Sequence, residues 1–275
     1  DIFTLSKVRK FYPYLKTNSK NFEKIELEIS NKLSKSDLKN KKNYYFREFG
    51  KIFFPYYNMG NIKSTDLFSA NEFVIFYLYH KLKSKYLSVG DFGANLGLHS
   101  IILDKCGFHV TAFEPDPKIF KKLKKNVKLN KSKNINLINS AIYTKNSILK
   151  FTRVKDNLTG SHISKEKKSY GRKENIFVKA INIKEIVNNF DLIKMDIESA
   201  EATVLCYLKK KDYFKTDFIV EVGNKKNSKK IFNFLKKNKL KFYSQKKNFN
   251  LVNKLDEMPF SHKDGALFIS QRNFI

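Results

Sequence analysis

The chain has 275 residues, 41% hydrophobic and 29% charged, enough for one large α/β domain with added elements and too apolar for a disordered chain. Its formal net charge is +29, but Arg stands only at 9, 47, 153, 172 and 272, so fifty of the 55 basic residues are Lys. Base and phosphate recognition favours Arg forks, which makes nucleic acid the weaker expectation and leaves adsorption to anionic surfaces or acidic glycans open. The longest apolar run, Phe73 to Tyr79, is far too short to span a membrane. Cys106 and Cys206 form neither a metal spacing nor a disulfide framework, and a cytoplasmic protein without a secretory leader is expected.

In chain order, Phe22, Ile25, Ile29 and Leu33 recur at helical spacing in a Lys-rich stretch, predicting a helical arm over 1–45. Residues 50–57, GKIFFPYY, read as a strand ending at Pro55. Residues 1–65 are therefore read as an N-terminal helical and strand extension, and 66–275 as the main domain. Asp66 reads as the N-cap of a helix carrying Glu72 and the run Phe73–Leu82.

The next stretch organises the domain. Tyr86–Val89 reads as a buried strand, broken by Gly90, Gly93 and Gly97 before Leu98, Ile101 and Ile102 resume at helical spacing. Glycines there permit positive φ and close approach of a ligand, and a helix N-terminus offers free N–H groups. Glu114 closes the run Phe108–Phe113, twenty-one residues past Gly93. A nucleoside-binding α/β fold places its ribose-hydroxyl acceptor at about that distance. The nicotinamide pattern G-x-G-x-x-G is absent. Asp-Phe-Gly-Ala-Asn-Leu-Gly stands instead, with Asp91 placed to meet an ammonium. A carboxylate beside the turn suits a ligand with an amino-acid group and a ribose, as in S-adenosylmethionine.

Pro115-Asp116-Pro117 opens a helix striped by Ile119, Phe120, Leu123, Val127 and Leu129. Residues 134–142 read as a third strand, with Asn139 and Ser140 at its carboxyl end. A strand at 147–152, a long polar loop at 153–175, a strand at 176–180 and a helix at 182–188 follow. In DLIKMDIESAE, 191–201, a buried strand carries Asp196 near its carboxyl end, with Glu198 and Glu201 behind it. Carboxyl ends of strands line the crevice of open α/β sheets. Burying unpartnered acids there is costly, so three in six residues point to a site. Strands at 216–222, 240–243 and 266–270 complete a parallel sheet with helices on both faces. Glu221 ends the first of these strands, and His262 and Asp264 precede the last.

Together these stretches resemble the FkbM family of S-adenosylmethionine-dependent methyltransferases. The resemblance rests on Asp91-Phe-Gly-Ala-Asn-Leu-Gly97, Phe113-Glu-Pro-Asp-Pro117, Asn126 with Asn130, Ile193-Lys-Met-Asp-Ile-Glu198 with Ala200-Glu201, and Val220-Glu221. It implies a class I, Rossmann-like fold, a seven-stranded sheet whose last strand is antiparallel. It also implies methylation of a hydroxyl on a sugar, glycan or related small molecule. By the matching motifs Gly93, Asn95 and Gly97 border the methionine part of the cofactor, Glu114 the ribose, and Asp196 lies near the sulfonium and the acceptor. Asp91 and Ser140, from their places at strand ends, are read as further cofactor neighbours. The family usually has Gly where Ser199 stands here. Asp196, Glu198, Glu221 and His262 are the candidates for removing the acceptor's proton. His99 reads as packing or a cofactor neighbour, and His162 as a weaker candidate. Asp196, Glu221 and Asn224 could hold a divalent cation, but no metal is assigned. An RNA 2′-O-methyltransferase, with Lys194 beside Asp196, and a silent binding module of the same fold are the alternatives.

Overall fold

The structure is a computed structural model describing residues 2–11, 19–34, 43–168 and 171–272. The N-terminal extension mixes helix and strand. Ile2–Phe3 (β1), Ser6–Phe11 (α1), Lys20–Ser34 (α2), Asn43–Phe46 (β2) and Gly50–Phe53 (β3) give two helices and a three-stranded sheet ordered β1-β2-β3. The stripe expected of the helical arm is real in α2, which buries Ile25 and Ile29. The parts of that arm at 12–18 and 35–42 lie outside the described residues. Phe3, Tyr44, Phe46 and Phe68 stack on one another beneath the small sheet.

The next helix, Ala70–Leu82 (α3), starts later than expected. Ser69 is its cap, accepting from the Glu72 N–H at 3.4 Å, whereas Asp66 sits in a separate 3-10 turn and accepts from the Lys63 N–H at 2.8 Å. Phe73 to Tyr79 are all buried, because α3 lies between the extension and the main sheet and has little solvent face.

The main domain alternates strand and helix: Ser88–Phe92 (β4), Leu98–Lys105 (α4), His109–Phe113 (β5), Pro117–Leu129 (α5) and Ile135–Ile138 (β6). Ala141–Tyr143 (β7), Ser147–Val154 (β8), His162–Ile163 (β9) and Lys173–Asn182 (β10) form a second, inserted sheet ordered β7-β10-β8-β9. The chain then returns through Ile183–Ile186 (α6), Leu192–Met195 (β11), Glu201–Tyr207 (α7), Asp217–Glu221 (β12), Lys225–Lys237 (α8), Phe242–Ser244 (β13), Asn250–Leu251 (β14) and Ala266–Ile269 (β15). The large sheet runs β14-β13-β15-β12-β11-β4-β5-β6. Strands β4, β5, β6, β11 and β12 are mutually parallel, and β15 is antiparallel to both its neighbours. α4 and α5 pack on one face of this sheet, and α7 and α8 on the other. This is the class I methyltransferase order with its antiparallel strand, plus β14 as an eighth strand at the edge.

Four details differ from the sequence reading. β4 runs to Phe92, so Gly90 lies inside the strand, where an added Cβ would press on the Phe92 and Phe190 rings. Residues 134–142 split at Asn139, whose amide donates to the Glu114 and Pro115 carbonyls and turns the chain out of the large sheet. Part of the expected loop 153–175 is regular structure, with the end of β8, β9 and the start of β10 inside it. Finally, among the described residues the sheet has eight strands rather than seven.

Register aligns the ends that matter. Met195 lies beside Phe92 and Val220, and Phe92 beside Phe113. Gly93, Glu114, Asp196 and Glu221 therefore emerge along one edge, at the point where strand order reverses. Ala266 at the start of antiparallel β15 pairs with Glu221, which brings the 258–265 segment to the same edge.

Candidate active site

A cavity of about 530 Å³ opens at this edge, within the range of small-molecule sites. Its floor is the turn after β4. Gly93, Asn95 and Gly97 are left-handed, at φ 81°, 51° and 86°. A Cβ on Gly93 would stand 1.8 Å from the Asp196 carbonyl oxygen, so the crossing of the β4 and β11 loops requires glycine there. A Cβ on Gly97 would strike Leu123, and Gly97 is off the cavity wall. Its role is helix packing rather than the direct cofactor contact expected of it.

Glu114 is buried on the wall. Its carboxylate accepts from the Asn95 N–H at 2.9 Å and the Asp116 N–H at 2.8 Å, which fixes it against the turn. Burial pushes this carboxyl up to about 8 despite those bonds. Ser140 is on the wall, its hydroxyl donating to the Asn139 carbonyl. Asp91 departs from expectation. It is fully buried behind the wall, accepts from Ser100 Oγ at 2.5 Å and lies 3.8 Å from Lys194 Nζ. The longer β4 carries it inside the sheet, so it meets an internal ammonium rather than a ligand's.

Lys194 is the hub of the opposite wall. Its buried ammonium lies 3.5 Å from Asp196 as well as near Asp91. Burial alone would depress it, but Asp196, Asp91, Glu72 and Glu221 together hold it above the usual lysine range. Glu221 is pushed well above the carboxylate range, first by Asp196 and then by burial and Glu72. Glu198 is raised to about 7 by burial and Asp196, against the pull of Lys167 at 2.6 Å. Asp196, Glu198 and Glu221 all reach the cavity.

The loop that carries Asp196 and Glu198 is held in an unusual conformation. Glu198 and Ser199 are left-handed, at φ 52° and 80°. Buried Glu201 accepts from the Ile197 N–H at 2.9 Å and the Ser199 N–H at 3.2 Å, pinning the turn. Glycine is favoured at a φ of 80°, which explains why Ser199 looks out of place in the sequence.

The sequence reading missed Glu72 and Lys167 and left His99 open. Tyr79 Oη is 2.9 Å from His99 Nδ1, and His99 Nε2 is 2.8 Å from Glu72. Burial holds the Tyr79 phenol well above its ordinary range. With that phenol protonated, the tautomer that satisfies both bonds carries its proton on Nε2. Burial raises Glu72, but His99 and Lys194 outweigh it and leave the carboxyl lowered. The only local signal was Glu72 three residues after Ser69, a capping-box spacing.

His262 sits exposed at the rim, its carbonyl accepting from Asn71 Nδ2 at 3.4 Å. Asp264 accepts from the Phe260 N–H, and buried His162 lies 2.8 Å from the Gly160 carbonyl, both off the wall. Asn224 caps α8 rather than facing Asp196 and Glu221. Among the described residues, no group of three His, Cys, Asp or Glu is placed to hold a metal ion. The cavity wall carries seven carboxylates against three lysines. In a chain of net charge +29, the site is an acidic hole in a basic surface.

Residues 91–255 match the family described as "Methyltransferase FkbM domain", more than half of the chain. No curated protein sequence matches. Among solved structures the chain is similar to precorrin-6y C5,15-methyltransferase from Geobacter metallireducens GS-15. Identity there is 10%, over 78% of this chain and 97% of that one, with a TM-score of 0.42. It is also similar to ribosomal protein L11 methylase from Lactobacillus delbrueckii subsp. bulgaricus, at 16% identity over 73% and 80% of the two chains and a TM-score of 0.38. With its motifs drawn to one sheet edge and the family matched across them, the chain belongs to the FkbM methyltransferase family.

Proposed function

We propose that the protein transfers the methyl group of S-adenosylmethionine to a hydroxyl of a sugar, glycan or related small molecule. The residues present suit that cofactor. The Asn95 side-chain oxygen is buried without a hydrogen-bond partner beside the Gly93 turn, an acceptor fit for an ammonium. Glu114 keeps lone pairs for ribose hydroxyls beyond its two backbone bonds. An acidic wall complements a ligand that carries a sulfonium and an ammonium. When bound, the cofactor supplies an electrophilic methyl group. Asp196 then takes the acceptor's proton, oriented by the Lys194 ammonium 3.5 Å away. Glu221, held up by Asp196, shares the proton load. A general base of this kind contributes ~10²–10⁴-fold, and alignment of acceptor and cofactor in the crevice contributes the rest.

The observation that carries this reading is the Asp196–Lys194–Glu221 cluster beside the Gly93–Glu114 cradle. The same acidity speaks against a polyanionic acceptor, which favours a neutral glycan over RNA. His262 and Lys167 are assigned to acceptor contact at the rim. The cytoplasm suits the unpaired thiols of Cys106 and Cys206. Incubation with methyl-labelled S-adenosylmethionine and a panel of nucleotide sugars, oligosaccharides and capped RNA tests the proposal. Label is expected in a carbohydrate fraction and is lost with Asp196→Asn. Label only in RNA would overturn it.

A further inference from the structure

We propose that the outward face of the inserted sheet docks on an anionic lipid bilayer. In the β8–β10 pair, Phe177 lies opposite Lys150 and Lys179 opposite Ile148. All four are exposed on one face, with Phe177 at 75% and Ile148 at 61%. Diagonal neighbours of this kind are ~7–8 Å apart, so the two apolar side chains form one spot bracketed by two ammonium groups. The other face of the same strands is ordinary core: Phe151 and Val178 are buried there. Alternation along β10 puts Ile181 on the face of Phe177. Ile181 lines a second, open cavity of about 590 Å³ together with Ile135, Ile138 and Phe190, and with Lys133 at its margin. The same face thus carries the Phe177–Ile148 spot among lysines and, beyond Lys179, Ile181 at the start of a groove.

The rim decides the occupant. A second copy of this chain would set the same lysines against each other across a two-fold axis. Headgroups of an anionic bilayer instead complement them. Lysine stems can lie along apolar surface while their charges reach the phosphates, and an aromatic ring enters the interface. This surface is independent of the crevice chemistry.

The chain has no Trp, so Phe177→Trp supplies a single fluorescent reporter. Its emission should shift to the blue and be quenched by brominated acyl chains in vesicles of phosphatidylcholine with phosphatidylglycerol, and not in phosphatidylcholine alone. A Leu27→Trp control, on a 62% exposed position of α2, should not shift. Phe177→Glu with Ile148→Glu should weaken flotation with the anionic vesicles by roughly tenfold or more. Lys150→Glu with Lys179→Glu should weaken it and flatten its salt dependence. Parental binding by the Phe177→Glu, Ile148→Glu variant would mean diffuse lysine adsorption and overturn the proposal. A dimer in light scattering that the same variant abolishes, without vesicle binding, would overturn it equally.

Discussion

Lys194→Met is the most informative single change. Asp91 is fully buried; one of its oxygens accepts from Ser100, and the other has no hydrogen-bond partner and faces the Lys194 ammonium at 3.8 Å. Methionine matches the stem of lysine and deletes the charge, leaving Asp91 as an uncompensated buried anion. Removing one member of a buried pair costs about 3–5 kcal/mol, against a total stability on the order of 5–15 kcal/mol. At roughly 2–4 °C per kcal/mol for a domain of this size, the melting temperature should fall by roughly 10 °C. Asp196, open to the crevice, can recruit water and adds little to this loss. Adding Asp91→Asn keeps the bond to Ser100 and removes the orphaned charge, so the double variant should regain at least about half of the stability. Activity should not return, because Asp196 still lacks its cation. Chemical denaturation of the parent, both single variants and the double variant closes the cycle. A Lys194→Met protein as stable as the parent, or a double variant less stable than either single one, would refute this reasoning.

Other outcomes follow from particular contacts. Gly93→Ala forces a Cβ against the Asp196 carbonyl at φ 81°. It should cost about 1–3 kcal/mol and lower kcat by misplacing Asp196, as steady-state kinetics would reveal. Ser199→Gly relieves a left-handed residue worth ~1–2 kcal/mol and loses ~0.5–1 kcal/mol of chain entropy. Denaturation should show it roughly neutral to about 1 kcal/mol more stable, with activity kept, whereas a clear loss of either would contradict the φ argument. Glu201 keeps its proton up to about 8 in the folded chain, above the ordinary carboxyl range. The unfolded chain therefore releases that proton first, and this group's contribution to stability declines as pH rises from about 4.5 to about 8. Glu201→Gln should flatten that part of the stability–pH curve, and an unchanged slope would show that Glu201 does not titrate there.

The parts of this site legible in the sequence are those fixed by short-range geometry. Glu114 at the end of β5 and Asp196 at the end of β11 each sit one residue beyond an apolar run, the glycines mark the turn after β4, and parallel pairing brings these ends together. Asp91 was misjudged because an apolar run does not say where a strand ends. Three more residues of β4 moved the carboxylate from the crevice to the interior. The strands at 147–152 and 176–180 are legible, but their assembly with β7 and β9 into a separate sheet is not, because β7 pairs with the far end of β10, a non-local contact with no local signature. Glu72, His99 and Lys167 come from three separate segments, and only the packing of α3 on α4 and the Glu198 ion pair join them to the site. Ser199 shows the reverse case, a residue whose oddness in the sequence matches a measurable backbone angle.

The Gly93 turn and Glu114 are proposed to hold S-adenosylmethionine in this crevice. Calorimetric titration of the full chain with S-adenosylmethionine measures that directly. Saturable one-to-one binding is expected, weakened at least roughly tenfold, about 1.4 kcal/mol, in a folded Glu114→Ala variant. No binding heat in the parent, or the same affinity in the variant, would contradict it.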